Sequence, residues 1–170
     1  MRRAILLGLA LVVVSALAVQ TTAASDNDAT VLRFKTMAGV VEPFTGGTNP
    51  VRGLSGGGLP WVLDRAEGRL RSDGRIDVRV EGLVLARRAP VPASLQGTNP
   101  IPQFRAVVSC LTPAPGGATV STVNVPTALV PASAGGDARI RDRVALPSPC
   151  IAPIVFVTAP TNAWFASTGA

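Results

Sequence analysis

The chain has 170 residues, with 16 Lys and Arg against 10 Asp and Glu, 17 Gly, 15 Pro, 2 Cys and neither Tyr nor His. Without an imidazole, Ser-His-Asp and Cys-His catalysis and every histidine-bound zinc site are excluded, and two cysteines alone do not complete a structural zinc site. The net charge of +6 is almost entirely arginine, Lys35 being the only lysine, which reads as the codon usage of a GC-rich genome more than as a binding adaptation.

The first stretch is MRRAILLGLALVVVSALAVQTTAASDND. Arg2 and Arg3 precede an almost wholly apolar run over residues 4–19, and the small residues Thr22, Ala23 and Ala24 precede a polar stretch. That order is the layout of a secretory signal peptide over residues 1–24, cut between Ala24 and Ser25. The run is nearly long enough to span a bilayer, so a retained N-terminal anchor is the competing reading; the short, small, polar flank favours cleavage. The arginine pair lacks the polar residue that precedes it in Tat signals. No cysteine follows the run to carry a lipid, and no later apolar stretch is long enough to span. Cleavage leaves one domain over residues 25–170 with 14 basic and 10 acidic residues, a net charge of +4. SDND at residues 25–28 reads as a solvated new N-terminus rather than as a calcium site.

TVLRFKTM (30–37) is a candidate first strand, followed by a turn-rich segment over 41–58. Its GLSGGGLP lacks the Lys-Ser/Thr of a P-loop and the βαβ context of a dinucleotide fingerprint, so it is a flexible loop and implies no cofactor. LPWVLDR (59–65) leads into the hairpin EGRLRSDGRIDVRVEGLVL. A two-residue Asp73-Gly74 loop would set apolar against charged residues throughout. A three-residue loop, Ser72-Asp73-Gly74 with Gly74 left-handed, instead pairs Leu70 with Ile76 and Gly68 with Val78 on one face. The other face then sets Arg69 against Asp77, Glu67 against Arg79 and Arg65 against Glu81, three opposite-charge pairs each contributing a few tenths of a kcal/mol. One face of the hairpin is wet and the other is core. The arginines are mostly neutralised where they stand, which is not the unpaired basic stripe that nucleic acid requires. At Gly82 the alternation slips: a bulge is the preferred reading there, the alternative being that the strand passes under a covering element.

Residues 86–102 form a Pro-rich crossover. QFRAVVSCL (103–111) is a strand ending in the first cysteine, and TPAPGG turns it back into ATVSTVNV (118–125). DARIRDRVAL (137–146) alternates Ala138, Ile140 and Val144 inward with Arg139, Arg141 and Arg143 outward. IAPIVFVTA (151–159) is apolar throughout and reads as a central strand buried on both faces; AWFAS (163–167) closes the chain. GTNP occurs at 47–50 and 97–100, but the flanking sequences do not match, so both copies are turn chemistry rather than a duplication. Short strands at regular spacing, with no helical period after the signal, predict an all-β, single-domain antiparallel β-sandwich.

Cys110 and Cys150, an even count at wide spacing in an exported chain, predict one disulfide. Closing a loop of about 40 residues contributes roughly 4 kcal/mol in the chain-entropy model. No CxxC spacing supports reactive thiols or metal ligation. Two features suit binding. Trp164 and Phe165 are adjacent, so on a strand one ring points away from the core, and with Trp61 it would form a sugar-binding platform; the competing reading has the rings capping the sandwich. Arg139, Arg141 and Arg143 span about 13 Å of one strand face, a row able to meet an anionic cell-envelope polymer; the competing reading is a solvated face with acidic neighbours. The expected function is a secreted, non-catalytic β-sandwich that binds or supports a ligand at the cell surface or outside the cell, without metal, cofactor or nucleic acid. The second reading is a carbohydrate-binding module or, further down, a glycoside hydrolase using paired carboxylates.

The segments GLPWVL, DGRIDVRVEGLVL, GTNPIPQFRAVVSC, LPSPCIAPIVFVT and AWFASTG together resemble a family of small exported bacterial β-sandwich proteins with one disulfide. The resemblance covers most of residues 57–169 and implies a secreted, disulfide-containing β domain. It carries no activity, ligand or catalytic residue. Expression in a bacterial host is expected to deliver the protein outside the cytoplasm with Ser25, or a residue within a few positions of it, at the N-terminus. Fractionation and N-terminal sequencing check this, and intact Met1-containing protein in the membrane fraction would refute it.

Overall fold

The structure, a computed structural model, describes residues 29–169; the signal-peptide segment and SDND lie outside the described residues. The chain is all-β. Its strands are β1 (Thr30–Phe34), β2 (Ala38–Gly39), β3 (Trp61–Val62), β4 (Arg65–Arg71), β5 (Arg75–Glu81), β6 (Val84–Leu85), β7 (Gln103–Pro113), β8 (Val120–Pro126), β9 (Val130–Pro131), β10 (Ala138–Arg143), β11 (Ile151–Thr158) and β12 (Trp164–Ser167). One sheet has the order β1-β4-β5-β10 and a second the order β2-β12-β11-β7-β8, with β9 also paired to β7. β3 and β6 form a separate two-stranded ribbon. Every pairing between these strands is antiparallel.

The expected hairpin register is the observed one: Arg65 faces Glu81, Glu67 Arg79, Gly68 Val78, Arg69 Asp77 and Leu70 Ile76. Gly74 takes φ +82 and donates its N–H to the Arg71 carbonyl at 3.0 Å. The register puts Ala66, Leu70, Ile76, Val78 and Val80 on one face, and all are buried. β10 pairs with the far side of β5, adding Ala138 and Ile140 to that face. Val144 continues the alternation into the core, and its N–H donates to the Gly74 carbonyl at 3.0 Å.

Residues 59–65 lead into the hairpin as expected: Trp61 and Val62 pair with Leu85 and Val84 in the same register as Arg65 with Glu81, so the ribbon continues the two hairpin arms. One sequence expectation changes. Gly82 is not a bulge. The ladder skips two residues on each arm, 63–64 and 82–83, and resumes at Val62 and Val84 in the same register, whereas a bulge would put an extra residue on one arm only. Gly82 turns at φ +65 with its N–H on Asp137 Oδ1 at 3.0 Å, and the following Leu83 is buried. The slip in alternation marks the chain leaving one sheet for the ribbon. The two GTNP segments are turns, as read: the side-chain amide of Asn49 donates to the Pro43 carbonyl and that of Asn99 to the Ile101 and Ser133 carbonyls.

The second sheet is covered on both sides. Phe104, Ala106, Val108 and Cys110 alternate with Val107 and Ser109 along β7, and both sets are buried. In β11 the same holds for Val155, Phe156, Val157 and Thr158, although the strand begins with exposed Ile151 and Ala152. Residues 41–58 provide one of the covers. The Trp164 N–H donates to Ser55 O at 3.0 Å and the Gly57 N–H to Trp164 O at 2.8 Å, which ties the segment to β12. Asn124 Nδ2 donates to Arg52 O at 2.9 Å and Arg52 Nη2 to Ala152 O at 3.0 Å, so this one residue reaches from β8 across to β11. One contiguous core joins both sheets and the ribbon.

Cys110 and Cys150 form a disulfide, with Cα atoms 5.0 Å apart. Cys110 lies within β7 rather than at its end, since the strand continues to Pro113, and Cys150 directly precedes β11. The bond links two strands that are already neighbours and encloses β8, β9 and β10 between its half-cystines. Purified without reductant, the protein is expected to show no free thiol. Reduction, or replacement of both cysteines by alanine, is expected to lower stability by about 2–5 kcal/mol without changing the fold; denaturant titration with and without reductant measures the difference.

Candidate functional site

Strand alternation that buries one face of the four-stranded sheet presents the other to solvent. That outer face is charged. Arg33 of β1 faces Arg69 of β4, Arg69 faces Asp77 of β5, and Asp77 faces Arg141 of β10, one row across all four strands. The next row runs Glu67, Arg79, Arg139. Beyond them, Arg75 faces Arg143. Three arginine pairs, Arg33/Arg69, Arg79/Arg139 and Arg75/Arg143, therefore stand directly opposite one another, an arrangement that is destabilising unless anions intervene.

The carboxylates are distributed differently from the hairpin expectation. The three opposed residue pairs exist as neighbours, but the close ion pairs run elsewhere. Arg65 binds Glu67 at 2.9 Å and Arg79 binds Glu81 at 2.6 Å, both along one strand. Asp77 is shared by Arg139 at 3.0 Å and Arg141 at 3.2 Å, not by Arg69. Asp73, in the hairpin turn, holds Arg75 at 2.7 Å and Arg143 at 2.6 Å. The physical reason is β10. It brings three arginines alongside β5, and these compete for the acids that the hairpin alone would have left to β4. Partial burial works against ionisation of Asp77, but the hydrogen bond from Arg139 and the charges of Arg139 and Arg141 outweigh it and hold the carboxyl below the usual carboxylate range. Asp73 is held low first by the Arg75 backbone N–H, at 3.0 Å, and then by the charges of Arg75 and Arg143.

The face forms an open cleft of about 760 Å³ lined by eight basic residues, two each from β4, β5 and β10 together with Arg33 and Lys35, against Glu67, Asp77 and Asp142. The local excess is five positive charges, where the whole chain carries +6. Among the remaining described residues, six basic face five acidic side chains. The net charge of the described chain thus lies on one face of one sheet. Most of the arginines are held by carboxylates, as expected, since Arg65, Arg75, Arg79, Arg139, Arg141 and Arg143 each form an ion pair, but the excess that is left gathers on this one face. Arg33 and Lys35 were missed as members of the site, although the alternation in LRFK, with the half-buried Phe34 between two cations, was visible.

Of the residues singled out in the sequence, Arg139, Arg141 and Arg143 sit as expected, on the outer face with side chains half or more exposed. The aromatic platform does not form. Trp61, Trp164 and Phe165 are 3%, 1% and 3% exposed. Trp61 stacks on Phe165 at 4.0 Å between ring centroids, and Phe104 packs edge-on against both. Trp164 tilts against Phe156 on the other side of the sheet. Both neighbours on β12 are buried because that sheet has a cover on each face. A second cleft holds Asp64, Glu81 and Asp137, but Glu81 is paired with Arg79, and Asp137 accepts from Gly82 N–H and the Ser133 hydroxyl. Among the described residues no group of three or more Cys, Asp or Glu side chains is placed to hold a metal ion, and no helix is long and apolar enough to cross a membrane. Comparison with family models, with curated proteins and with solved structures finds no match for this chain.

Because the folded pKa of Asp77 lies below its unfolded value near 3.9, its contribution to stability is full above that value and disappears as pH falls through the folded pKa. Asp77→Asn is expected to destabilise the protein at pH 7 by less than about 1 kcal/mol, since the pair is half exposed. The difference from the wild type should shrink toward zero as pH is lowered from 7 to about 2. Urea denaturation across that range measures it, and a pH-independent difference would refute the electrostatic origin.

Proposed function

We propose that the protein is an exported, non-catalytic binding module whose four-stranded sheet docks an anionic polymer of the cell envelope or the extracellular space. The observation that carries this is the concentration of the chain's excess positive charge on one sheet face, including three directly opposed arginine pairs. The hairpin and β10 hold these side chains at fixed spacings, about 4.8 Å between strands and 6.6 Å between alternate residues on a strand. Such a surface attracts a multiply charged chain from solution and binds it through many contacts that are individually weak. Arginine suits the role because its planar fork donates to oxyanions in pairs.

Export is supported by the signal-like N-terminus, by the Cys110–Cys150 bond, which persists in oxidising compartments, and by the resemblance to small exported bacterial proteins. Export also favours an envelope polymer over nucleic acid, which shares the same charge. The alternative of a carbohydrate-binding module is weakened by the burial of all three candidate rings. Hydrolysis by paired carboxylates is weakened because Asp77, Glu81 and Asp137 are already bound by donors within the protein.

The protein is expected to bind long-chain polyphosphate and polygalacturonate with affinities that fall steeply as NaCl rises, and to ignore a neutral glucan. Charge reversal at Arg139 and Arg141 together should weaken polyphosphate binding at least about tenfold, a loss of about 1.4 kcal/mol. Asp77→Asn should tighten it despite lowering stability. Fluorescence anisotropy or calorimetry reads these affinities. Equal affinity for the neutral glucan, no polyanion binding, or binding to anionic lipid vesicles but to no soluble polymer would each overturn the reading.

A further inference from the structure

Resting on that reading, we infer that Arg33 and Arg69 form a clamp that selects tetrahedral oxyanion groups, phosphate or sulfate, on the bound polymer. The two residues face one another across β1 and β4, and both line the cleft. They differ from the other opposed arginines in what holds them. Arg79 is bound by Glu81, Arg139 by Asp77, and Arg75 and Arg143 by Asp73. Neither Arg33 nor Arg69 has a carboxylate within ion-pairing distance among the described residues.

The pair is kept together by packing rather than by charge. Phe34, next to Arg33, faces Gly68, next to Arg69. Gly68 has no Cβ, and one added there would collide with the Phe34 ring and lie 2.7 Å from the Asp77 carbonyl oxygen. The Phe34 ring occupies that space instead and packs against the core. Burial of this ring fixes the β1 register and holds two like charges on adjacent strands, where directly opposed Cβ atoms are about 4.5–5.5 Å apart. An anion between them removes the repulsion that the protein leaves uncompensated.

The donor geometry chooses the anion. Each guanidinium presents a planar fork of N–H groups, and the two arise from directly opposed positions on adjacent strands lining one cleft, within reach of a single anion between them. A planar carboxylate has two oxygens in one plane, and a single fork satisfies it. A phosphate or sulfate group presents its free oxygens tetrahedrally, so both forks engage the same group, and its charge offsets both cations. The rest of the face attracts any polyanion; this pair discriminates among them.

The test titrates the full protein with inorganic phosphate, sulfate and acetate while following the arginine Nε–H signals by NMR. Phosphate and sulfate should shift the Arg33 and Arg69 signals first and bind at least about tenfold tighter than acetate. Arg33→Lys and Arg69→Lys each keep the charge and lose the fork. Each should abolish that preference while leaving the salt dependence of polyphosphate binding nearly unchanged, with unchanged thermal melting confirming the fold. Equal response to acetate, first shifts at Arg139 and Arg141, or a preserved preference in both lysine variants would overturn the clamp while leaving the polyanion face standing. Failure to bind any polyanion would overturn both.

Discussion

The register of the β4–β5 hairpin is the constraint on which the rest of the molecule depends. Side chains alternate faces with a period of two, so a slip of one residue would send Arg69, Arg71, Arg75 and Arg79 into the core and Leu70, Ile76 and Val78 into water. Gly74 prevents the slip. Its left-handed backbone closes a three-residue turn, and its carbonyl receives the Val144 N–H from the segment that continues β10. A side chain at this position would collide with the Val144 carbonyl. One glycine therefore sets the hairpin register and admits the next strand of the sheet, which in turn determines which charges become neighbours.

The two sheets solve the burial problem differently. The four-stranded sheet is amphipathic, with branched apolar residues on one side and arginines on the other. The second sheet has no wet face over β7, the latter half of β11 and β12, because residues 41–58 cross one side while the four-stranded sheet and the ribbon close the other. That is why its aromatic residues form two packed groups rather than one exposed row, and why Trp164 and Phe165, which point to opposite sides, are both buried. The disulfide sits within this doubly covered sheet, so it reinforces the part of the fold that is already richest in apolar contacts.

The charged face is harder to account for by stability alone. Opposed arginines repel, and the acids Asp73, Asp77 and Glu81 counter this at Arg75/Arg143 and Arg79/Arg139 but form no ion pair with Arg33 or Arg69. Replacing several of the arginines by Thr or Gln would keep the alternation and remove the repulsion. A local excess of like charge on a rigid, open surface is the electrostatic arrangement that gathers counter-ions, and a linear polyanion supplies many of them on one chain. The codon-usage reading of the arginine content explains why the cations are arginine rather than lysine. It does not explain their segregation, since codon bias acts on composition and the sheet acts on position.

The sequence by itself determined the all-β class, the three-residue turn and its register, the outward row of Arg139, Arg141 and Arg143, and the cysteine pairing. Each of these follows from local rules: period-two alternation, the glycine that a left-handed turn requires, and the parity of two cysteines. What it did not contain was the order of strands across the sheet. That β10 adds to β5 and β1 to β4 is decided by which apolar faces combine into one core, a non-local choice among elements distant in the chain. The ion pairs, and the lack of a carboxylate partner for Arg33 and Arg69 among the described residues, follow from that order. The same holds for the rings. Adjacent aromatics on a strand must point to opposite sides, which the sequence states plainly; whether the second side is water or protein depends on residues 41–58 folding back across it, and only the tertiary structure decided that.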